Sequence, residues 1–184
     1  MTGGRTAGAI ILIAMFALLG SSGSGKAASA GEINAGVSAT LDRFYRQIPG
    51  SQALAARAAG VLVFPTVVKA GMGVGGEYGE GAMRAGGRTV AYYNTIAGSV
   101  GFQLGAQARS VIIMFMTPDA LGSFRRVDGW KVGVDGSVAL ITVGAGASID
   151  SDKVTHPVVG FILDSKGLMY NLTLEGAKIT KIKK

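Results

Sequence analysis

The sequence predicts an α+β fold: N-terminal helices packed on a mainly antiparallel, glycine-rich twisted sheet or partial barrel. Three observations lead there. An apolar stripe at helical spacing opens the folded part of the chain. After Gly60 the pattern changes to short apolar runs separated by turn residues. Between Val61 and Gly105, glycine recurs at Gly71, Gly73, Gly75, Gly79 and Gly81, all odd positions, interrupted in that series only by Glu77. In an extended strand alternate side chains point to opposite faces, so one face of this segment is nearly bare backbone. A bare face suits a bend, or a neighbour lying very close to the sheet. The N-terminal helices or neighbouring strands are expected to approach it.

The first residues have another character. Arg5 and the free amine are followed by the apolar run Ala9–Leu19, then by a small-residue stretch ending Ala28-Ser29-Ala30. This three-part layout reads as a secretory signal cleaved after Ala30. The run is short for a transmembrane helix, which needs about 20 residues. An exported, periplasmic or peripherally envelope-associated protein is the expectation, with residues 31–184 forming one domain. That length suffices for a real core.

Within 31–184, Ile33, Val37, Leu41, Phe44 and Ile48 make one stripe on a helix over Glu32–Ile48, ended by Pro49-Gly50. Ser51–Ala59 reads as a second, alanine-rich helix stopped by Gly60. Strands are expected over Val61–Phe64, Val67–Lys69, the glycine segment, Arg88–Thr95 and Ser99–Gln107. Gly86-Gly87 marks a hairpin tip. Val111–Met116 is continuously apolar and reads as a buried strand. Thr117-Pro118-Asp119 has the cap, the proline and the acid of a helix start, and Leu121 and Phe124 then point inward. Trp130–Gly144 predicts one long or two shorter strands with a turn or bulge at Asp135-Gly136. Val158–Leu163 and Leu168–Leu174 flank Asp164–Gly167 as a hairpin, and Ala177–Ile182 is the last strand.

Chemistry is sparse. The chain has no cysteine and one histidine, His156. That removes disulfides, thiol chemistry, a lipoprotein anchor and multi-histidine metal sites. Gly71–Gly76 matches G-x-G-x-x-G, but a dinucleotide site needs a helix after the motif, and glycine-rich strand follows. Asp150-Ser151-Asp152 lacks the glycine and distal glutamate of a calcium loop. No cofactor, metal or catalytic residue is expected, and the protein reads as a non-enzyme. An outer-membrane barrel is disfavoured by the helical start and the buried run Val111–Met116.

The net charge is +7. For an exported chain this points to an anionic surface, above all phospholipid head groups, rather than nucleic acid. Arg43, Arg46, Arg57, Lys69, Arg84 and Arg88 are the candidate lipid-binding residues. The alternative is a structural or envelope-stress protein whose bare glycine face docks another protein.

GVLVFPTVVKAGMGVGGEYGEG, SVGFQLGAQARSVIIMFMT, KVGVDGSVALITVGA and SKGLMYNLTLEGAKI together resemble the SYLF domain family, in the family's order. The resemblance implies an α+β lipid-binding domain, a bacterial exported single-domain member, and phosphoinositide binding in eukaryotic relatives. Some fungal relatives bind actin filaments, a partner not expected in this compartment. It places Glu32–Ile48 in the position of the family's amphipathic helix and Lys69 at the basic position before the glycines.

Overall fold

The computed structural model describes residues 27–101, 107–142, 148–164 and 173–184. It is an α+β structure whose helices lie against a curled, mostly antiparallel sheet. Helix α1 spans Ala30–Gln47 and α2 spans Ser51–Arg57. Strands β1 (Gly60–Ala85), β2 (Arg88–Gly101) and β3 (Gln107–Phe115) follow, then helix α3 (Pro118–Arg126). β4 (Trp130–Lys131), β5 (Ala139–Leu140), β6 (Val158–Leu163) and β7 (Lys178–Ile182) complete a sheet ordered β4-β7-β2-β1-β3-β6-β5.

Local chemistry sets the helix ends. Ser29 caps α1, its hydroxyl accepting from Glu32 N while the Glu32 carboxylate accepts from Ser29 N, a reciprocal capping box. Thr117 caps α3 through Ala120 N. The expected stripe of α1 is buried in full. Cleavage after Ala30 would take Ser29 and its capping box away.

The sheet has two apolar faces. Val61, Val63, Ile112, Met114, Val159 and Phe161 meet α1 and α2 on the helix face. Leu62, Phe64, Val111, Ile113 and Phe115 point to the other side, here called the inner face. Phe115, Phe124, Trp130 and Tyr93 close one end of the inner face, with neighbouring ring centroids 4.7–6.5 Å apart. Buried aromatic pairs at such spacings add to the stabilisation from area alone.

β1 is a single strand of 26 residues. Its first part pairs with β3 and its second with β2. The register with β3 slips by one residue between Phe64 and Val67, opposite Ser110. This β-bulge reverses the alternation. Before it odd residues face the helices; after it Val67 belongs to the inner core, and so does Met83 further along.

The glycine face therefore looks inward, onto the start of its own strand. A Cβ on Gly79 would stand 2.8 Å from Thr66 O, and one on Gly81 would overlap the Val63 carbonyl. The close approach expected at the glycines is made by β1 itself, and the helices do not supply it. Helix α1 approaches elsewhere, where Gly36 leaves 3.0 Å between a Cβ position and the Pro65 ring. The side-chain surroundings of residues 70–74 lie outside the described set.

Two strand expectations change. Ser99 and the residues to Gly101 continue β2, and Gln107 opens β3, so Ser99–Gln107 is not a separate strand. The described part of Trp130–Gly144, up to residue 142, forms two two-residue strands, because Val132–Gly136 closes into a turn with a Val132–Gly136 bridge and a Gly133 N–Gly136 O bond of 2.8 Å. Most of the Asp164–Gly167 turn and of the strand after it lies outside the described residues. The Gly86-Gly87 tip is as expected, both glycines having positive φ, as a two-residue type I′ connection requires.

Ala28, just before α1, and the C-terminal Lys184 meet at Glu80. Lys184 Nζ donates to Glu80 Oε2 (2.9 Å) and to Ala28 O (2.8 Å), and Ala28 N donates to the same carboxylate (3.1 Å). Burial alone would raise the Glu80 pKa. The hydrogen bonds from Lys184 and Tyr78, with the Lys184 charge, outweigh it and hold the carboxyl below its ordinary value. A depressed carboxyl stabilises the fold above the unfolded-state pKa, and that contribution disappears as pH falls through the folded value. Two outcomes follow. Melting temperature should fall between about pH 5 and pH 3, with a shallower slope in Glu80→Gln; equal slopes would refute the assignment. Gly81→Ala should lower unfolding free energy by about 2–4 kcal/mol, whereas Gly98→Ala, whose added methyl meets nothing within 4 Å, should stay within about 0.5 kcal/mol in the same denaturant titration.

Candidate functional site

The six basic residues singled out from sequence occupy different surroundings. Arg43 reaches from α1 to the bulge: its Nη2 donates to Ser110 Oγ (2.8 Å), and that hydroxyl donates to Pro65 O (2.6 Å). Arg84 lies under α1, donating to Ser38 Oγ (2.6 Å). Arg57 pairs with Asp152 at 2.8 Å on the surface, an exposed pair contributing at most about 1 kcal/mol. Arg46 is exposed on α1 and Arg88 at the hairpin tip. Lys69 lies at the inner face, 4.0 Å from Glu77 Oε1. The bulge thus separates Lys69 from the basic residues of the helix face.

The inner face holds a cavity of about 340 Å³. Phe64, Val67, Val111, Ile113, Val132 and Leu174 line it with apolar surface, and Lys69, Glu77, Arg109 and Glu175 are its charged members. Glu77 accepts an ion-paired hydrogen bond from Arg109 Nη2. Both side chains are almost wholly buried, 13% and 10% exposed, and among the described residues Arg109 Nε has no hydrogen-bond partner. Sequence reasoning passed over Arg109 and Glu77. Glu77 as the break in the glycine series was the one available signal.

A second feature lies on the helix face, beyond the N-terminal end of α1. Directly paired residues share a face. The pairs Tyr78–Ile96, Ile96–Lys178 and Lys178–Lys131 therefore form one row across β1, β2, β7 and β4. Tyr78 is 48% and Ile96 51% exposed, and both lysines are exposed. Among the described residues no helix covers this row. Burial first, then the hydrogen bond to Glu80, raises the Tyr78 pKa, so its hydroxyl stays protonated. Among the described residues no group of three His, Cys, Asp or Glu is placed to hold a metal ion, and no helix is long and apolar enough to cross a membrane. His156 is exposed in its loop.

Residues 96–184 match the family model described as "Ysc84: Las17-binding protein actin regulator". The match contains Ile96, Arg109, Lys131 and Lys178 and begins after β1. No curated protein matches the chain. Over residues 96–184 this match supports the resemblance to the SYLF domain family.

Ser110→Ala should cost about 1–3 kcal/mol in denaturant unfolding, because it strands Arg43 and the Pro65 carbonyl at once. Arg43→Gln should destabilise similarly, and the double variant should cost less than the sum. Additive losses would show that the three groups do not act as one unit.

Proposed function

We propose that this SYLF-family domain is a non-enzymatic module that associates peripherally with anionic phospholipid membranes. The reading rests on one observation, the exposed row Tyr78–Ile96–Lys178–Lys131. It combines an aromatic residue with a polar tip, a bare aliphatic side chain and two lysines on one uncovered face. Such a combination suits a membrane interface: the ring and the aliphatic chain enter the head-group boundary, and the ammonium groups meet lipid phosphates. Arg46 and Arg88, exposed elsewhere, add long-range attraction without belonging to the row. Arg43 and Arg84 act through the fold, since each donates from its guanidinium to a hydroxyl, Arg43 to Ser110 and Arg84 to Ser38.

Export, cleavage of the N-terminal segment and an envelope location belong to the same proposal, supported by the layout of residues 1–30. An anionic inner or outer leaflet would then be the surface met. The family description names Las17 binding and actin regulation. Docking of a protein onto the same row is the competing outcome.

Vesicle sedimentation decides. The protein should pellet with vesicles containing phosphatidylglycerol at low salt and not with phosphatidylcholine alone, and binding should fall with added salt. Each lysine near an anionic surface contributes on the order of 1 kcal/mol, so Lys131→Gln with Lys178→Gln should weaken partitioning roughly thirtyfold. Ile96→Ser should weaken it without changing the salt dependence. Failure to pellet at low salt would refute the lipid reading.

A further inference from the structure

The membrane row leaves the inner cavity unused, and the cavity has the features of a binding site. Its volume, about 340 Å³, stands at the lower end of the roughly 300–1,000 Å³ of small-molecule pockets. Its chemistry is divided along the strand. On β3, Arg109, Val111 and Ile113 line it in succession, a distance of about 13 Å at 3.3 Å per residue. The charged side chains of Lys69, Glu77 and Arg109 gather on β1 and β3 near the start of that run. Apolar surface from Phe64, Ile113, Val132 and Leu174 continues from there toward the aromatic cluster.

The charge balance at that end is two cations to one carboxylate. Arg109 is almost wholly buried and Lys69 partly so, and cations removed from water are costly unless anions satisfy them. Glu77 satisfies part of this need, while among the described residues Arg109 Nε remains buried without a partner and Lys69 Nζ stands 4.0 Å from Glu77, too far for a hydrogen bond. The remaining charged lining group, Glu175, is in the turn before β7, its carboxylate filling the space that a Cβ on Gly133 would need. The cation pair is therefore one anionic partner short, beside an apolar chamber.

We propose that the inner cavity binds a single-chain amphiphile with an anionic head, a free fatty acid or a single-chain phosphate ester. The head accepts hydrogen bonds from Lys69 and Arg109, with Glu77 holding the guanidinium in place. The chain lies on Val111, Ile113, Val132 and Leu174. This site is on the opposite face of the sheet from the membrane row and does not depend on membrane docking.

Titration calorimetry on the intact protein, without vesicles and below micelle-forming concentrations, tests it. Dodecanoate and dodecyl phosphate report on the two head chemistries, with dodecanol and dodecyltrimethylammonium as neutral and cationic comparisons. Saturable one-to-one binding of at least one anionic amphiphile, tenfold or more tighter than dodecanol, is expected, and the tighter of the two identifies the head. Lys69→Gln should weaken that binding about tenfold. Ala97→Phe, which fills the chamber from β2, should abolish it, and thermal melting checks that both variants fold; should Ala97→Phe not fold, Lys69→Gln carries the test. The proposal is overturned if neither anionic amphiphile binds saturably or if dodecanol or the cation binds as tightly. It is equally overturned if Lys69→Gln binds as wild type, or if folded Ala97→Phe does.

Discussion

One extra residue in β1 governs the rest of the structure. The bulge opposite Ser110 reverses which residues face the helices. Without it Val67, Lys69, Glu77, Gly79 and Gly81 would turn to the helix face, away from Arg109. With it they turn to the inner face. There the glycines let β1 curl over its own first turns and the ionic groups meet Arg109. The bulge is held by a short chain of hydrogen bonds, Arg43 to Ser110 to Pro65 O, with the Pro65 ring seated against Gly36 of α1. A helix thus fixes the register of a sheet, and through it the location of the charged groups on the far side.

That curl explains why so much glycine is tolerated. Glycine in a strand costs conformational entropy and packs no side chain. Here the cost is offset because backbone replaces side chain as the packing partner, at distances no Cβ would permit. The apolar residues that β1 lacks on that face are supplied by β3, β6, β7 and the aromatic cluster around Trp130. The outcome is a sheet with two distinct sides. Among the described residues, one is covered by helices except for the row running from Tyr78 to Lys131, and the other encloses a chamber with an ionic end.

Much of this was legible in the residues. The stripe of α1, the Thr117 cap, the Gly86-Gly87 tip and the buried run of β3 each depend on neighbours in sequence, so local pattern suffices to find them. The glycine series announced a close approach, but not by what. The basic residues were the least legible part. Arg43 and Arg84 look like surface charges in sequence, yet each is consumed by a hydroxyl that only folding brings near. Lys131 and Lys178 join Tyr78 and Ile96 through strand pairing across separate segments, which no spacing along the chain reveals.

By itself, then, the sequence determined the class of fold, the helix boundaries, the absence of thiol chemistry and the basic balance of charge, because these follow from composition and short-range periodicity. Tertiary structure alone decided which face each charge occupies. A single inserted residue reverses strand parity, and whether a bulge forms depends on Ser110 and Arg43, contributed from distant parts of the chain. The chamber, its Lys69–Glu77–Arg109 end and the exposed row are all consequences of that one register shift and of the strand order that surrounds it.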